Sequence, residues 1–302
     1  MSQARVIINP TAGAGRTAKI WPSINGWLKT LGLQFEHKLT EASGHAIELA
    51  RSAAEKGYEM IVSVGGDGTI NEIVNGLHES GSIKNVMLGI ISTGTGSDYI
   101  RTIGIPRHYY EACQLLINPK KLTVDLGLVE YSSKGERKKR FFVNFAGLGF
   151  DAEVVKATTQ SFKTFGGRSS YLAGLLSTFL LYRNRKVSLT IDGEKQNKKI
   201  CTMMVNNGKY GGGSMLVAPN ADPEDGLFDI LTIDNLSKPD LLWSLPRIYK
   251  GTHLTHRKVT YQKAREVYIQ TTQKTSLQAD GELLGETPAH FKVLPAILSL
   301  AT

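Results

Sequence analysis

Apolar and polar positions alternate in two different ways along the chain, and the first way covers residues 1–125. The runs Arg5–Asn9, Met60–Val64 and Val86–Ser92 are mostly apolar, as in strands that are buried on both faces of a sheet. Between the strands, segments such as His45–Lys56 carry apolar residues at helical spacing. Strands that alternate with helices predict a Rossmann-like α/β domain, in which helices cover both faces of a parallel sheet.

The second pattern begins after residue 125 and consists of short β-type runs separated by turn signals. Such a pattern is typical of an antiparallel β-sandwich, with helical segments expected at 152–182 and 237–249. We therefore predict an α/β nucleotide-binding domain over 1–125 and a β-rich domain over 126–292, with the residues after 292 joining the first domain. The predicted strands of the second domain are Phe141–Phe145, Val187–Ile191, Thr202–Val205, Phe228–Ile233, Val267–Gln270 and Ser276–Ala279.

Composition and charge narrow the function classes. The 302 residues carry a net charge of +9, and residues 126–302 hold 24 basic and 16 acidic side chains against 12 and 11 before them. This excess favours an anionic partner such as phosphates, a membrane surface or nucleic acid, although a solvated basic surface explains it equally well.

Cysteine content and apolar run length bear on the compartment. Two cysteines cannot build a disulfide framework, which favours a reducing compartment. The longest apolar run, Tyr171–Tyr182, is shorter than the roughly 20 residues that a membrane span needs, so we expect a soluble or peripheral protein. The run predicts a buried helix, with a membrane-facing helix as the alternative because basic residues follow it.

Three glycine-rich turns carry the candidate chemistry. Gly65–Thr69, Gly94–Asp98 and Asn9–Gly13 each follow a buried strand, and Thr40 closes another strand. The carboxyl ends of parallel strands share one edge of a sheet, so these turns are expected to converge on one crevice. Glycine loops before a helix suit phosphate groups, and an aspartate among them, Asp67, implies either Mg²⁺ bound with a nucleotide or a role in positioning an attacking group. A tight strand–helix turn without a ligand is the plainer alternative.

The second half adds acidic and basic groups. The carboxylates of Asp222–Asp229 have a spacing that could hold a hard cation, or they form a solvated turn. Asp280-Gly281-Glu282 follows an apolar strand and predicts a hairpin turn, as does Asp192-Gly193-Glu194 with the same letters. Lys138, Lys139 and Arg140 precede a predicted strand and are expected at a solvated loop end.

Taken in order, these motifs resemble those of the diacylglycerol kinase catalytic-domain family of bacterial lipid kinases, which is related to sphingosine kinases and more distantly to NAD kinases. The resemblance covers nearly the whole chain. The motifs that carry it are Asn9-Pro10-x-x-Gly13, Thr40 with Gly44-His45-Ala46, Gly65–Asn71, Gly94-Thr95-x-x-Asp98, Val124–Gly127, Asn144–Asp151, Tyr210–Gly213, Asp222–Asp229 and Asp280-Gly281-Glu282. Ser97 and Tyr99 depart from the family pattern, which bears on substrate preference.

The resemblance implies roles for individual residues. Asp280 would accept the proton, and Asp67 would position the phosphates with Mg²⁺. A structural Mg²⁺ would lie at Asp222, Asp225 and the Leu227 carbonyl, and Asp67, Asp98 and Asp125 would organise the nucleotide-associated metal through water. The residues expected to bind ATP are Asn9, Pro10, Thr11, Ala12, Gly13, Thr40, Gly65, Gly66, Asp67, Gly68, Thr69, Ile70, Asn71 and Thr95.

The activity implied is transfer of the γ-phosphoryl group of ATP to a lipid hydroxyl, with diacylglycerol converted to phosphatidic acid. Other lipid alcohols, such as a long-chain base or an isoprenoid alcohol, stay open as acceptors, as does a NAD kinase-like activity. We expect a cytoplasmic enzyme that works at the inner face of the membrane and binds no nucleic acid. The oligomeric state stays open, and the resemblance suggests a homodimer because family members often pair.

Overall fold

The computed structural model describes residues 3–165, 178–179 and 181–302. Its first part alternates strands with helices, as the apolar runs predict. The strands are β1 (Ala4–Ile8), β2 (Phe35–Leu39), β3 (Met60–Gly65) and β4 (Met87–Ser92), and the helices are α1 (Ala12–Thr30), α2 (His45–Glu55), α3 (Asp67–Glu79), α4 (Asp98–Ile103) and α5 (Tyr109–Leu115).

These strands form a parallel sheet in the order β2–β1–β3–β4. The central strands are buried because apolar clusters cover both faces: one cluster includes Ile61 and Leu88, and the other includes Val62 and Val64. Because the strands run in the same direction, the loops that follow β1, β3 and β4 leave the sheet at one edge. The parallel sheet is confirmed, and the Rossmann-like assignment stays a prediction.

The second part consists mainly of antiparallel strands. They are β5 (Lys121–Ser133), β6 (Glu136–Phe142), β7 (Phe145–Gly149), β8 (Arg185–Ile191), β9 (Glu194–Asn206), β10 (Tyr210–Gly211), β11 (Met215–Leu216), β12 (Phe228–Asp234), β13 (Val259–Ala264), β14 (Glu266–Thr271), β15 (Ser276–Ala279) and β16 (Glu282–Ala301). Among the described residues they are accompanied by α6 (Phe150–Phe165), α7 (Lys238–Tyr249) and a short 3₁₀ helix over Thr252–Thr255.

One apolar cluster holds this second part together. It draws residues from strands β5 to β9 and β12 to β16, and Phe142 stacks on Phe228 with ring centroids 5.6 Å apart. Completely burying a side chain of this size contributes about 1.5–3 kcal/mol. Alternation of inward apolar and outward polar residues, as in β8, produces this arrangement.

The last strand connects the two parts. β16 pairs antiparallel with β5 from Glu286 to Ala301 and with β14 and β15 in its earlier part, whereas Ser299 and Leu300 also pair in parallel with Met87 and Leu88 of β4. Its partner β5 runs without interruption through Asp125, the residue at the predicted domain boundary. The division into 1–125 and 126–292 stays a prediction, and the structure adds that β5 and β16 span it.

One predicted strand is two strands in the structure. The sequence predicts a single strand over Phe141–Phe145, but β6 ends at Phe142 and β7 begins at Phe145. The backbone amides of Val143, Asn144 and Phe145 leave the strand ladder and donate to the carboxylate of Asp280. A tertiary contact that the local sequence cannot specify therefore interrupts the strand.

The helical prediction over 152–182 is met in part by α6. Residues 166–177 and 180, which include most of the apolar run Tyr171–Tyr182, lie outside the described residues. In the part of the chain that the structure describes, no helix combines the length and the apolar character that a membrane span requires.

Candidate active site

The loop between β3 and α3 depends on glycine. A Cβ on Gly65 would lie 2.4 Å from Oγ1 of Thr69, so no larger residue fits there. Asn9, which follows β1, donates from Nδ2 to the same Oγ1 across 3.1 Å. The first turn of α3 follows at once, and its free backbone N–H groups and positive helix end favour an anion.

The three glycine turns converge, as predicted. A Cβ on Gly94 would lie 2.6 Å from the Cα of Gly66, and a Cβ on Gly13 would lie 2.4 Å from the Thr93 carbonyl oxygen. Backbones can approach this closely only where no side chain intervenes. The loops after β1, β3 and β4 therefore pack against one another at one sheet edge.

A cavity of about 440 Å³ opens at this edge. Among the residues predicted to bind ATP, those that line the cavity are Asn9, Thr11, Ala12, Gly13, Thr40, Gly66, Gly68, Thr69 and Thr95. The others, which are not among its lining residues, lie beside the same turns, at the end of β3 or in the first turns of α3: Pro10, Gly65, Asp67, Ile70 and Asn71. Glycine and hydroxyl groups dominate the wall, as a phosphate-binding cavity requires, and their role as nucleotide ligands stays a prediction.

Asp67 ties two loops together. Its Oδ2 accepts a hydrogen bond from the Asp98 amide across 3.3 Å, and its Oδ1 accepts one from the Tyr99 amide across 3.2 Å. Burial raises the pKa of the Asp67 carboxyl, while these amides act in the opposite direction. Asp67 thus joins the start of α3 to the start of α4.

Asp98 and Asp125 make similar ties over longer distances. The Asp98 carboxylate accepts from the amides of Gly213 and Ser214 across 2.8 and 2.7 Å, and thereby binds α4 to the β10–β11 hairpin. The Asp125 carboxylate accepts from the amides of Gly226 and Ala296 across 2.7 and 2.8 Å. The carboxylate oxygens of Asp98 and Asp125 point to backbone amides. The role of these two residues in a metal–water network stays a prediction.

Asp280 occupies the turn between β15 and β16 and is the most heavily hydrogen-bonded carboxylate of the site. Its Oδ1 accepts from the amides of Asn144 and Phe145, both across 3.0 Å. Its Oδ2 accepts from the Val143 amide across 2.8 Å and from Nδ2 of Asn71 across 2.7 Å. Burial raises the pKa of Asp280 and the four donors oppose that shift.

Asn71 connects Asp280 to the glycine loop. It lies on α3, whose first residue is Asp67, and its amide reaches the Asp280 carboxylate directly. Glu282, two residues after Asp280, lines the cavity beside Gly66 and Gly68. Asp67 and Asp280, which are far apart in the sequence, thus both lie at the first turns of α3.

Several charged residues of the site carry no role in the sequence predictions, among them Glu282, Arg140 and Glu72. Glu282 lines the cavity, and its Oε2 accepts a hydrogen bond from Nη2 of Arg140 across 2.7 Å. The expectation that Arg140 lies at a solvated loop end is wrong, because Arg140 lies within β6 and its side chain is only 16% exposed. Glu72 also lines the cavity and accepts from the amides of Gly44 and Ala46 at the start of α2. The DGE and GGDGTINE motifs contain both glutamates, whereas the sequence offers no signal for Arg140.

The acidic loop Asp222–Asp229 carries its own positive partner. Nζ of Lys263 forms a short ion pair with Oδ2 of Asp225, and the other oxygen of Asp225 accepts from the Leu227 amide across 2.9 Å. Oδ1 of Asp222 accepts from the Glu224 amide. Among the described residues, no group of three or more acidic, histidine or cysteine side chains is placed to hold a metal ion. Lys263 already occupies one carboxylate oxygen of this loop, and the magnesium site predicted at Asp222, Asp225 and the Leu227 carbonyl stays a prediction.

Comparison with protein families accounts for both parts of the chain. The family model of the diacylglycerol kinase catalytic domain matches residues 3–129. A second model, the YegS C-terminal NAD kinase beta sandwich-like domain, matches residues 144–302. The second match agrees with the antiparallel sandwich predicted from the sequence.

Individual proteins resemble the chain over nearly its full length. A diacylglycerol kinase of Staphylococcus carnosus (strain TM300) is 29% identical over 289 residues, which are 96% of this chain and 91% of that protein. A diacylglycerol kinase of Bacillus subtilis (strain 168) is 29% identical over 292 residues, with 96% and 93% covered. The crystal structure of a diacylglycerol kinase from Bacillus anthracis str. Sterne shares the fold, with a TM-score of 0.73 at 23% identity over 99% of this chain and 96% of that one.

Proposed function

The chain belongs to the diacylglycerol kinase family and is a lipid kinase, and we propose that it transfers the γ-phosphoryl group of ATP to the hydroxyl of diacylglycerol, forming phosphatidic acid. One observation carries the proposal. A glycine-lined cavity at the start of α3 lies beside Asp280, whose carboxylate is held by Asn71 of the same helix. A phosphate cradle next to a buried carboxylate is the arrangement that phosphoryl transfer to an alcohol requires.

The triphosphate occupies the cavity between the loops after β1, β3 and β4. Amide groups at the start of α3 and the hydroxyls of Thr69 and Thr95 donate to phosphate oxygens. Glutamates also line this wall, so the nucleotide binds with Mg²⁺, which neutralises phosphate charge. The metal would be held mainly by the phosphate oxygens of the nucleotide, as Mg²⁺ commonly is in phosphoryl-transfer sites.

Asp280 takes the proton of the lipid hydroxyl. The hydroxyl oxygen forms a bond to the γ-phosphorus, the bond from that phosphorus to the β–γ bridging oxygen breaks, ADP leaves, and the proton ends on the Asp280 carboxylate. The four hydrogen bonds to Asp280 use its usual acceptor positions. The lipid hydroxyl therefore displaces one of the four donors from the Asp280 carboxylate. The side-chain amide of Asn71 is displaced more readily than the backbone amides.

The acceptor is identified by a direct assay. Labelled ATP is offered with mixed micelles that contain diacylglycerol, a long-chain base or an isoprenoid alcohol, and with NAD in solution. Labelled phosphatidic acid is the expected product. Label in another lipid would show that this lipid, and not diacylglycerol, is the acceptor. Label in NAD would show that the acceptor is a soluble nucleotide and not a lipid. ATP binding without transfer to any acceptor would overturn the proposed activity.

Access to diacylglycerol requires contact with a bilayer, and the surface charge of the second part supports electrostatic docking. Residues 126–302 carry the excess of basic side chains, and Leu181 is 79% exposed beside the exposed Arg183. Basic residues near an anionic surface contribute roughly 1 kcal/mol each. Binding to phosphatidylglycerol vesicles should weaken as salt rises, and binding indifferent to both salt and anionic lipid would contradict docking by charge. The homodimer expected from the resemblance stays a prediction.

A further inference from the structure

The proposed nucleotide cavity requires positive charge to balance the phosphates of ATP. Glu41, Glu72 and Glu282 line it, and among the described lining residues there is no lysine or arginine. The terminal phosphate of ATP carries up to two negative charges, and most phosphoryl-transfer sites place a cationic side chain against it. A cavity wall with three carboxylates therefore needs a cation from a neighbouring position as well as the metal that accompanies the nucleotide.

Arg140 is placed to supply it. Its Nη2 lies 2.7 Å from Oε2 of the cavity-lining Glu282, so the guanidinium sits directly behind the wall. The side chain is 16% exposed, and its buried Nε–H meets no hydrogen-bond acceptor in the part of the chain that the structure describes. A guanidinium has five N–H donors in a planar fork. A buried N–H donor that has no acceptor lowers the stability of the protein until a ligand supplies one.

Glu282 lies where a bound phosphate would compete with it for the guanidinium of Arg140. A Cβ built on Gly68 would lie 3.8 Å from Oε1 of Glu282, which places this carboxylate against the first turn of α3. That turn is the anion-binding end of the helix, and Glu72 and Asp280 add negative charge nearby, so burial and these neighbours raise the pKa of Glu282. A phosphate has more oxygens and more charge than a carboxylate and pairs more strongly with arginine.

We propose that Arg140 binds the terminal phosphate of ATP, and that Glu282 holds its guanidinium in place while the cavity is empty. This inference rests on the proposed function, since it takes the cavity to be the ATP site. Arriving ATP exchanges the Glu282 carboxylate for a phosphate oxygen at the guanidinium. The terminal phosphate is absent from ADP, so Arg140 makes the site prefer ATP over ADP. The preference helps product release, because ADP no longer satisfies the arginine.

The test measures nucleotide affinity without turnover. Isothermal titration calorimetry compares ADP with the non-hydrolysable ATP analogue that carries an imido β–γ bridge, both with Mg²⁺. The wild-type protein should bind the analogue more tightly. Arg140→Ala should lose about 10- to 100-fold in affinity for the analogue, the range expected for a hydrogen bond to a charged group, and about twofold or less for ADP.

Three further variants separate phosphate binding from a structural role. Arg140→Lys keeps the charge without the fork and should restore part of the preference. Glu282→Gln removes the competing charge and should strengthen analogue binding. The matched control is Lys139→Ala, because Lys139 precedes Arg140 on β6, is 63% exposed and pairs with Glu130 away from the cavity. Its affinities for both nucleotides should equal those of the wild type.

The outcomes distinguish this inference from the proposed function. Equal losses for ADP and the analogue in Arg140→Ala, or no loss in either, would overturn the role of Arg140 while the kinase assignment stands. If Arg140→Ala does not fold, an unchanged preference in the folded Arg140→Lys variant together with weaker analogue binding in Glu282→Gln overturns it. A wild-type protein that binds neither nucleotide would instead overturn the ATP site itself.

Discussion

Nδ2 of Asn71 donates to Oδ2 of Asp280 across 2.7 Å and joins two residues that are 209 positions apart in the chain. The same amide also donates to the Phe141 carbonyl, and Asn75, one turn later on α3, exchanges hydrogen bonds with both backbone groups of Phe141. One face of α3 therefore anchors the end of β6 and the candidate base. The helix that begins at the glycine loop also sets the position of the carboxylate.

Replacing Asp280 should remove turnover and spare nucleotide affinity. Asp280→Asn keeps the size of the side chain but cannot accept the proton, so the rate should fall by about 10²- to 10⁴-fold. The affinity for ADP should change little, because Asp280 is not among the residues that line the cavity. Phosphate transfer from labelled ATP and calorimetry with ADP measure the two quantities.

The second Asp-Gly turn of the chain provides the control for that variant. Asp192 has a positive φ as Asp280 does, and its carboxylate accepts from the amides of Arg265 and Glu266. Asp192→Asn therefore removes an equivalent turn carboxylate on another hairpin and should leave the rate close to that of the wild type. Similar rates in the two variants would mean that Asp280 acts through the turn rather than through proton transfer.

The raised pKa of Asp280 predicts opposite pH trends for activity and stability. A base works only when deprotonated, so activity should fall as pH drops through a pKa above the ordinary value of about 3.9. The folded protein holds the Asp280 proton more tightly than the unfolded chain does. Asp280 therefore stabilises the fold at pH values below its unfolded pKa and loses that contribution as pH rises through its folded-state pKa. The Tm of Asp280→Asn relative to the wild type should therefore increase as pH rises above the ordinary pKa of about 3.9. Parallel Tm curves would contradict the raised pKa.

Close packing of the glycine loops predicts a specific sensitivity. Gly94→Ala places a methyl group 2.6 Å from the Cα of Gly66, and the backbone must move to accept it. We expect a loss of about 1–3 kcal/mol in the free energy of unfolding together with weaker nucleotide binding. Gly26→Ala is the control, because Gly26 lies within α1 with open space around its Cβ position and should be neutral or stabilising. Denaturant unfolding of both variants measures the difference.

The ion pair between Lys263 and Asp225 predicts how the acidic loop responds to magnesium. With Lys263 in place, Mg²⁺ without nucleotide should leave the Tm unchanged. Lys263→Met should lower the free energy of unfolding by at most about 1 kcal/mol, the range for a partly exposed pair. The unpaired carboxylates should then make the Tm of this variant rise with Mg²⁺. A wild-type Tm that rises with Mg²⁺ and falls with a chelator would instead support the structural magnesium ion implied by the family resemblance.

Several features of the fold and site could be predicted because they depend on neighbours in the chain. The parallel strands and the turns after them follow from apolar runs and glycine positions, and the convergence of Gly13, Gly66 and Gly94 follows from the common direction of the strands. The ordered motifs also predict the family, which the comparisons confirm. Each of these conclusions needs only local pattern and the rule that parallel strands end at one edge.

Other features depend on contacts between distant residues. The break between β6 and β7, the burial of Arg140 and the twenty-residue strand β16 have no local signal, because each results from partners elsewhere in the chain. The break exists because Asp280 takes the amides at 143–145, and Arg140 is buried because Glu282 lies opposite it. Local periodicity contains no information about such partners.

The two Asp-Gly-Glu tripeptides separate these contributions. The sequence by itself determined that both form hairpin turns, and both adopt positive φ at consecutive residues, 46° and 91° at Asp192 and Gly193 and 48° and 82° at Asp280 and Gly281. Only the tertiary structure decided that Asp280 lies against Asn71 beside the cavity while Asp192 caps an exposed strand end. A turn is set by the dihedral angles of two residues, whereas the surroundings of its carboxylate are set by which distant strands and helices pack there.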